Sequence, residues 1–379
     1  MDQRCTRREF LKTCAAGGCL LLAGDIAALP RPARAQAPRR GLVGTALSPW
    51  YEPLEGGAVR CTLCPRRCRV APGARGACRV RENRGGRYYS LVHGNPCTAH
   101  LDPIEKKPFF HVRPATTSFS IATAGCNFRC AFCQNWEISQ AAPEELSNLD
   151  LPPERVVQRA KESGAASIAY TYVEPTIFFE YMLDTARLAS AAGLLNVCHS
   201  NGFINPAPLR ELCGPLDAAN CDLKGFTPEY YREMCGGELE PVLESLRIVR
   251  AEGVHLELTN LVVPTKNDDP RQIRAMCDWI ARELGPDTPL HFSRFFPLYR
   301  LRSLVPTPVA TLEKAREIAL AAGLRYVYVG NVPGHPAEST SCPGCKRLVI
   351  ERRGFAVGAV HLEKGACAFC GHAIPGLWG

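Results

Sequence analysis

The 379-residue sequence is short of several things, and each absence removes a class of protein. Its leading apolar run, residues 13–24, reaches about half of the roughly 20 residues that cross a bilayer, which argues against a transmembrane helix. No internal repeat or low-complexity tract stands out, and 46% hydrophobic against 22% charged residues excludes disordered, collagen-like and mucin-like chains. Histidine is absent between His111 and His199, so that stretch offers a metal no imidazole ligand. Cysteine, in contrast, is abundant at 20 residues. That density is well below a small disulfide scaffold, and most of these cysteines fall in three tight groups with metal-ligand spacing.

The first 37 residues read as a leader. Arg7 and Arg8 precede Phe10, Leu11 and Lys12, the weak apolar run follows, and Ala35, Gln36 and Ala37 form an A-x-A cleavage pattern, which resembles a twin-arginine export signal. Six basic and three acidic leader residues carry +3 of the formal +8. Cys5, Cys14 and Cys19 belong to it as well. Six others, Cys97, Cys198, Cys213, Cys221, Cys235 and Cys277, are scattered and read as small buried hydrophobes.

Four segments follow from the pattern: the leader 1–37, a cysteine- and arginine-rich module 38–115, a regular core 116–334 and a cysteine-bearing tail 335–379. In the core, strands are expected at 118–124, 167–172, 195–199, 218–223, 254–263, 290–296 and 325–329. Helices are expected at 153–163, 177–192, 208–213, 240–252, 271–284 and 309–322, with proline near several starts and glycine after their ends. The alternation predicts an α/β fold with a parallel sheet. Six or seven strand–helix units are short for an eight-unit barrel of about 250 residues, so a partial barrel of the (β/α)6 type is expected, with its chemistry on the loops at the carboxyl ends of the strands.

The first of those loops carries Cys126, Cys130 and Cys133 as C-x3-C-x2-C. A structural zinc takes four ligands. Three thiolates can hold three irons of a four-iron, four-sulfur cluster and leave one iron open for another ligand. A zinc loop borrowing a distant ligand such as Cys97, or unrelated buried thiols, are the alternatives. With Phe132 before the last cysteine, the loop resembles the signature of the radical S-adenosylmethionine superfamily, and a partial barrel over 116–334 is similar to that superfamily's pattern. The resemblance implies that Cys126, Cys130 and Cys133 hold a 4Fe-4S cluster whose open iron chelates the methionine moiety. An electron from a reductant would then release a 5′-deoxyadenosyl radical that abstracts hydrogen from a substrate.

Activating enzymes of the pyruvate formate-lyase type have a Gly-Gly-Glu turn after the second strand. Here Tyr172, Val173, Glu174 and Pro175 stand there, so the glutamate is retained and the glycine pair is not. Asp222, Leu223 and Lys224 resemble the Asp-Leu-Lys stretch of the same enzymes, where the lysine can meet a carboxylate as a point charge, and Ser200, Asn201 and Gly202 resemble a ribose-side turn. The resemblance thus implies cofactor contacts from Phe132, Glu174, Ser200, Asn201, Asp222 and Lys224. No late histidine matches the one those activases use. A narrower resemblance is to the radical enzymes of the AmmeMemoRadiSam system. It rests on residues 133–140 (CQNWEISQ), Asp102 to Pro108 (DPIEKKP), Tyr170 to Tyr172 with Glu174 and Pro175, and Ile374 to Trp378 (IPGLW). It implies Memo-like and AMMECR-type proteins as neighbours. The stretch from Asp102 to Pro108 also reads as a solvated loop that merely closes the barrel.

Cys61, Cys64, Cys68 and Cys78 are four thiolates in 18 residues, a ligand count suited to zinc or to a second iron–sulfur cluster; the spacing is not that of a ferredoxin, which favours zinc. Nine arginines and one glutamate surround them between Arg60 and Arg87. Such a patch by composition alone reads as nucleic-acid binding, yet arginines can equally offset thiolate charge or meet an acidic partner, and no nucleic acid is expected. In the tail, Cys342 and Cys345 and then Cys367 and Cys370 form two C-x2-C knuckles close to a zinc-ribbon pattern, with a pair of disulfides as the alternative in an oxidising compartment.

The sequence therefore points to a radical enzyme using S-adenosylmethionine and a reductant. A non-enzymatic iron–sulfur carrier or zinc-organised binding protein is the competing class, and it gains nothing from an open iron. The substrate is a small molecule or a protein, the latter including a glycyl radical on a partner. The leader implies export to the periplasm after cytoplasmic folding; the supply of S-adenosylmethionine implies work in the cytoplasm.

Overall fold

A computed structural model describes residues 37–379. The export-signal reading falls on 1–37 and so lies, but for Ala37, outside the described residues. Eight strands form one sheet: β1 (Thr98–Pro103), β2 (Thr117–Ala122), β3 (Ser167–Tyr170), β4 (Leu195–Ser200), β5 (Ala218–Asp222), β6 (His255–Val262), β7 (Leu290–Arg294) and β8 (Val327–Gly330). They lie side by side in chain order. From β2 to β8 every pair is parallel, while β1 runs antiparallel to β2 in the register Thr98 to Ala122. The sheet therefore takes its first strand from 98–103, ahead of the stretch that the strand–helix alternation marked out.

Six helices connect the parallel strands: α1 (Pro153–Glu162), α2 (Phe179–Ala191), α3 (Pro206–Cys213), α4 (Glu240–Ala251), α5 (Pro270–Glu283) and α6 (Val309–Ala321). Their limits follow from local chemistry. In α5, Asp269 caps the end by accepting from Arg271 N at 2.9 Å, Pro270 occupies the first turn, and Ile273, Met276, Cys277 and Ile280 form the buried stripe. α1 ends where Gly164 takes a left-handed φ of +69°. β3 is buried at all four positions, as a strand covered on both faces must be.

The arginine-rich segment before β1 is built from short antiparallel strands, Tyr51–Pro53 with Val59–Cys61 and Arg69–Val70, and Ala46–Leu47 with Arg87–Ser90 and Arg81–Arg84. Most of its arginines are exposed, but two of them are held by protein partners. Arg81, 1% exposed, donates to Glu180 of α2 and to Ser48, and Arg75 bridges Glu82 and Glu144. The tail adds the antiparallel strands Thr340–Ser341, Leu348–Arg353 and Ala356–Val360. It packs Val349, Ile350 and Ile374 on Phe110, Tyr326 and Tyr328. Arg352, buried there, donates to Phe110 O at 2.7 Å and stands 3.7 Å from Glu105. Among the described residues no helix is long and apolar enough to cross a membrane.

Candidate active site

Because the parallel strands keep register, their carboxyl ends share one side of the sheet, and the loops there enclose a cavity of about 620 Å³. That size lies within the range of small-molecule sites. Its wall includes Cys126, Cys130, Phe132 and Cys133 after β2, Glu174 after β3, Asn201 after β4, and Asp222 and Lys224 at the end of β5. Ser200 does not border the cavity and bonds instead to Glu174. Four positions distant in sequence thus converge on the cysteine loop.

The loop is held from several directions. Arg129 N and Ala131 N donate to the carbonyls of Cys235 and Met234 at 2.8 Å, which ties the loop to the helical turn Tyr231–Cys235. Asn127 donates to Phe203 O and accepts from Asn201 Nδ2, both at 2.8 Å, and Asn135 donates to Tyr172 O at 2.7 Å. Burial pushes the thiols of Cys126 and Cys133 up, while that of Cys130 is raised first by a hydrogen bond with Cys235 and then by burial. Loading iron here must therefore displace protons. Cys235 packs on the reactive loop, where the sequence pattern suggested only a buried hydrophobe. Cys97 Sγ instead meets Ala122 O at 3.5 Å.

Glu174 is buried and braced. Oε1 accepts from Thr176 N, Thr176 Oγ1 and Ser200 Oγ at 3.0, 2.6 and 2.8 Å, and Oε2 accepts from Asn201 N at 2.6 Å. Burial nevertheless raises its carboxyl above the ordinary range. Asp222 accepts from Lys224 Nζ at 2.7 Å and faces His199 Nε2 at 3.0 Å. Burial opposes its ionisation, yet Lys224 and His199 hold it below the usual carboxylate range. Lys224 is raised in turn, because Asp222 and the thiols of Cys130 and Cys235 outweigh its burial. Its ammonium lies 5.8 Å from the Phe132 ring, which stacks on Tyr230.

Two buried polar groups beside this wall carried no role in the sequence pattern. Lys107 Nζ, buried, donates to Asp102 at 2.7 Å and to Tyr172 Oη at 2.8 Å, and lies 4.0 Å from the Tyr172 ring centroid. Burial draws Lys107 down to about 8, since its counter-ion is shared with Lys106, while Asp102 is held low by both lysines against its own burial. Tyr172 has a φ of +65°, an uncommon conformation for an aromatic residue. The run from Asp102 to Pro108 is thus an ion-paired wall and not a solvated loop. The second group centres on Glu257 of β6, which accepts from Phe110 N and His111 N and faces His291 Nε2 at 2.7 Å. A buried glutamate so far from the cysteines in sequence gives no local signal.

The Radical SAM superfamily profile matches residues 120–279, which spans the cysteine loop and the strands that build the cavity from β2 to β6. The chain belongs to the radical SAM superfamily. As a radical SAM protein it is 45% identical over 327 residues to the uncharacterized protein MJ0808 of Methanocaldococcus jannaschii, covering 86% of this chain and 97% of that one. It is also 27% identical over 154 residues to the GTP 3',8-cyclase of Pseudomonas syringae pv. syringae, or 39% of this chain and 45% of the cyclase. Among solved structures, a domain of a pyruvate-formate lyase-activating enzyme from Bacteroides vulgatus aligns over 44% of this chain and all of its own, at 14% identity and a TM-score of 0.40. Radical SAM membership brings with it a 4Fe-4S cluster, S-adenosylmethionine and a reductant. The tail, separately, brings Cys342, Cys345, Cys367 and Cys370 within 4.8 Å of one another.

Proposed function

We propose that Cys126, Cys130 and Cys133 hold a 4Fe-4S cluster at the mouth of a partial barrel, where S-adenosylmethionine is split and hydrogen is taken from a substrate in the 620 Å³ cavity. One observation carries this reading: all three cysteines border the cavity, and Cys235, though beside Cys130, does not. The protein thus offers three thiolates there and leaves a fourth iron to face the cavity. When bound, such a cluster supplies the single electron that cleaves the sulfonium. The barrel reading is supported by the wall itself, since Lys107 beyond β1 and Val329 on β8, at opposite sheet edges, border one cavity.

The remaining steps belong to side chains. Lys224, positioned by Asp222, offers a fixed positive charge to a carboxylate, and Phe132 keeps that ammonium against the loop. Glu174 acts through its four donors, fixing the Ser200 and Asn201 turn so that Asn201 faces the cofactor. Lys107 and Tyr172, both bonded to Asp102, border the substrate side. The tail cysteines form a zinc ribbon, since tetrahedral zinc with thiolate ligands separates the sulfurs by about 3.8 Å and the closest pairs here are 3.6 and 3.7 Å apart.

The AmmeMemoRadiSam resemblance, kin to the pyruvate formate-lyase activases, makes Memo-like and AMMECR-type proteins the partners to test. The leader makes export the location to test, by fractionation beside an Arg7→Lys, Arg8→Lys variant. For the reaction itself, the reconstituted full chain is reduced with dithionite and incubated with S-adenosylmethionine. Formation of 5′-deoxyadenosine is expected. No product, or product undiminished in Cys126→Ala, overturns the reading.

A further inference from the structure

Three sets of cysteines occupy this chain, and their spacing sorts them. Among the described residues only the tail set gathers its sulfurs within 4.8 Å of one another. Cys126, Cys130 and Cys133 do not, as expected of thiolates that each bind a different iron. No three of Cys61, Cys64, Cys68 and Cys78 do so either, yet all four line one small cavity together with Arg66, Arg81, Tyr88 and Asn127. Charge does not discriminate: four thiolates around a divalent zinc or a 2+ cluster both leave about −2. Size does. A zinc ion draws four sulfurs to about 3.8 Å, as in the tail, whereas a cubane puts each sulfur on its own corner.

The position is as telling as the spacing. Gly125, one residue before Cys126, has a φ of +88°, and a Cβ there would lie 2.4 Å from Cys78 O. Arg66 donates through Nε to Asn127 O and through Nη2 to Gly236 O, so one cavity-lining arginine grips both the reactive loop and the turn that supports it. Asn127 borders the small cavity on one side of the loop while Cys126 and Phe128 border the large one on the other. Arg81, paired with Glu180, places a buried guanidinium at the thiols.

We infer that Cys61, Cys64, Cys68 and Cys78 hold a second 4Fe-4S cluster, fully ligated by protein, packed against the back of the cysteine loop. With no open iron, this centre is suited to carrying single electrons and not to binding a cofactor. The inference replaces zinc, which the ligand spacing in the sequence favoured for these four residues.

The test is the metal content of the anaerobically reconstituted full chain, with Mössbauer spectra, in unsubstituted protein and in a Cys126→Ala, Cys130→Ala, Cys133→Ala variant. About eight irons per chain are expected in the first and about four, all in a diamagnetic 4Fe-4S spectrum, in the second. Adding Cys61→Ser and Cys64→Ser to the triple variant should remove those four. A triple variant with no iron overturns the inference, with or without extra zinc, and so does iron that survives the added substitutions. Since Cys61→Ser can unfold its module, the first two proteins decide the matter without it. Absence of 5′-deoxyadenosine formation by the unsubstituted protein, with four irons still present in the triple variant, would count against the catalytic reading alone.

Discussion

The tail knuckles and the loop after β2 use the same side chain to opposite ends. In the tail, four sulfurs close on one another, and Cys342 and Cys367 are set in a cluster of buried side chains that includes Tyr326, Val349 and Ile374. After β2, three sulfurs spread along the wall of a cavity and are steadied by Cys235, Ser139 and backbone donors. Cysteine count alone does not separate a structural centre from a reactive one. What separates them is whether the ligand set is complete and whether it faces space.

That contrast is open to direct attack. Cys130→Ala should abolish 5′-deoxyadenosine formation, a fall of more than about a thousandfold or about 4 kcal/mol in barrier, with the thermal midpoint nearly unchanged in the cluster-free form. Cys342→Ala should do the reverse: zinc is lost and the midpoint falls by several degrees, while product still forms at low temperature. Equal effects of the two substitutions on activity and on stability would erase the distinction between the regions. Arg352→Met probes how the tail is fastened, because it leaves Glu105, which is buried, without its cation. A loss of about 3–5 kcal/mol in urea unfolding is expected, with the tail zinc retained.

The smallest effect concerns pH. Asp222 is held below the ordinary carboxylate range by Lys224 and His199 against burial. A carboxyl whose pKa is lowered on folding adds stability above its unfolded value of about 3.9, and that share is lost as pH falls through the folded value. Asp222→Asn should therefore cost about 2–3 kcal/mol at pH 7, and the gap from the unsubstituted protein should narrow steadily below about pH 4. A gap that is constant with pH would remove the ion pair from the account.

Much of this architecture was legible because its signals are local. Prolines at helix starts, Gly164 after α1 and the apolar strands placed β2 to β8 within one or two residues at most ends. The strand Thr98–Pro103 carries no such signal, since it is an edge strand of mixed burial whose pairing with β2 is antiparallel and breaks the alternation. The site divides the same way. Cys126, Cys130, Cys133 and the Asp222 and Lys224 pair are close in sequence and chemically distinctive. Lys107 meets Tyr172 only through folding, and Glu257 acquires its partners from β7 and from the segment after β1. Such contacts leave no spacing to read.

The wall of the large cavity includes Glu338, Gly354 and Phe355, and Leu377 N donates to His111 O at 2.7 Å. The segment that carries the tail cysteines is therefore also a wall of the chamber, so loosening it would admit water to the cavity from that side.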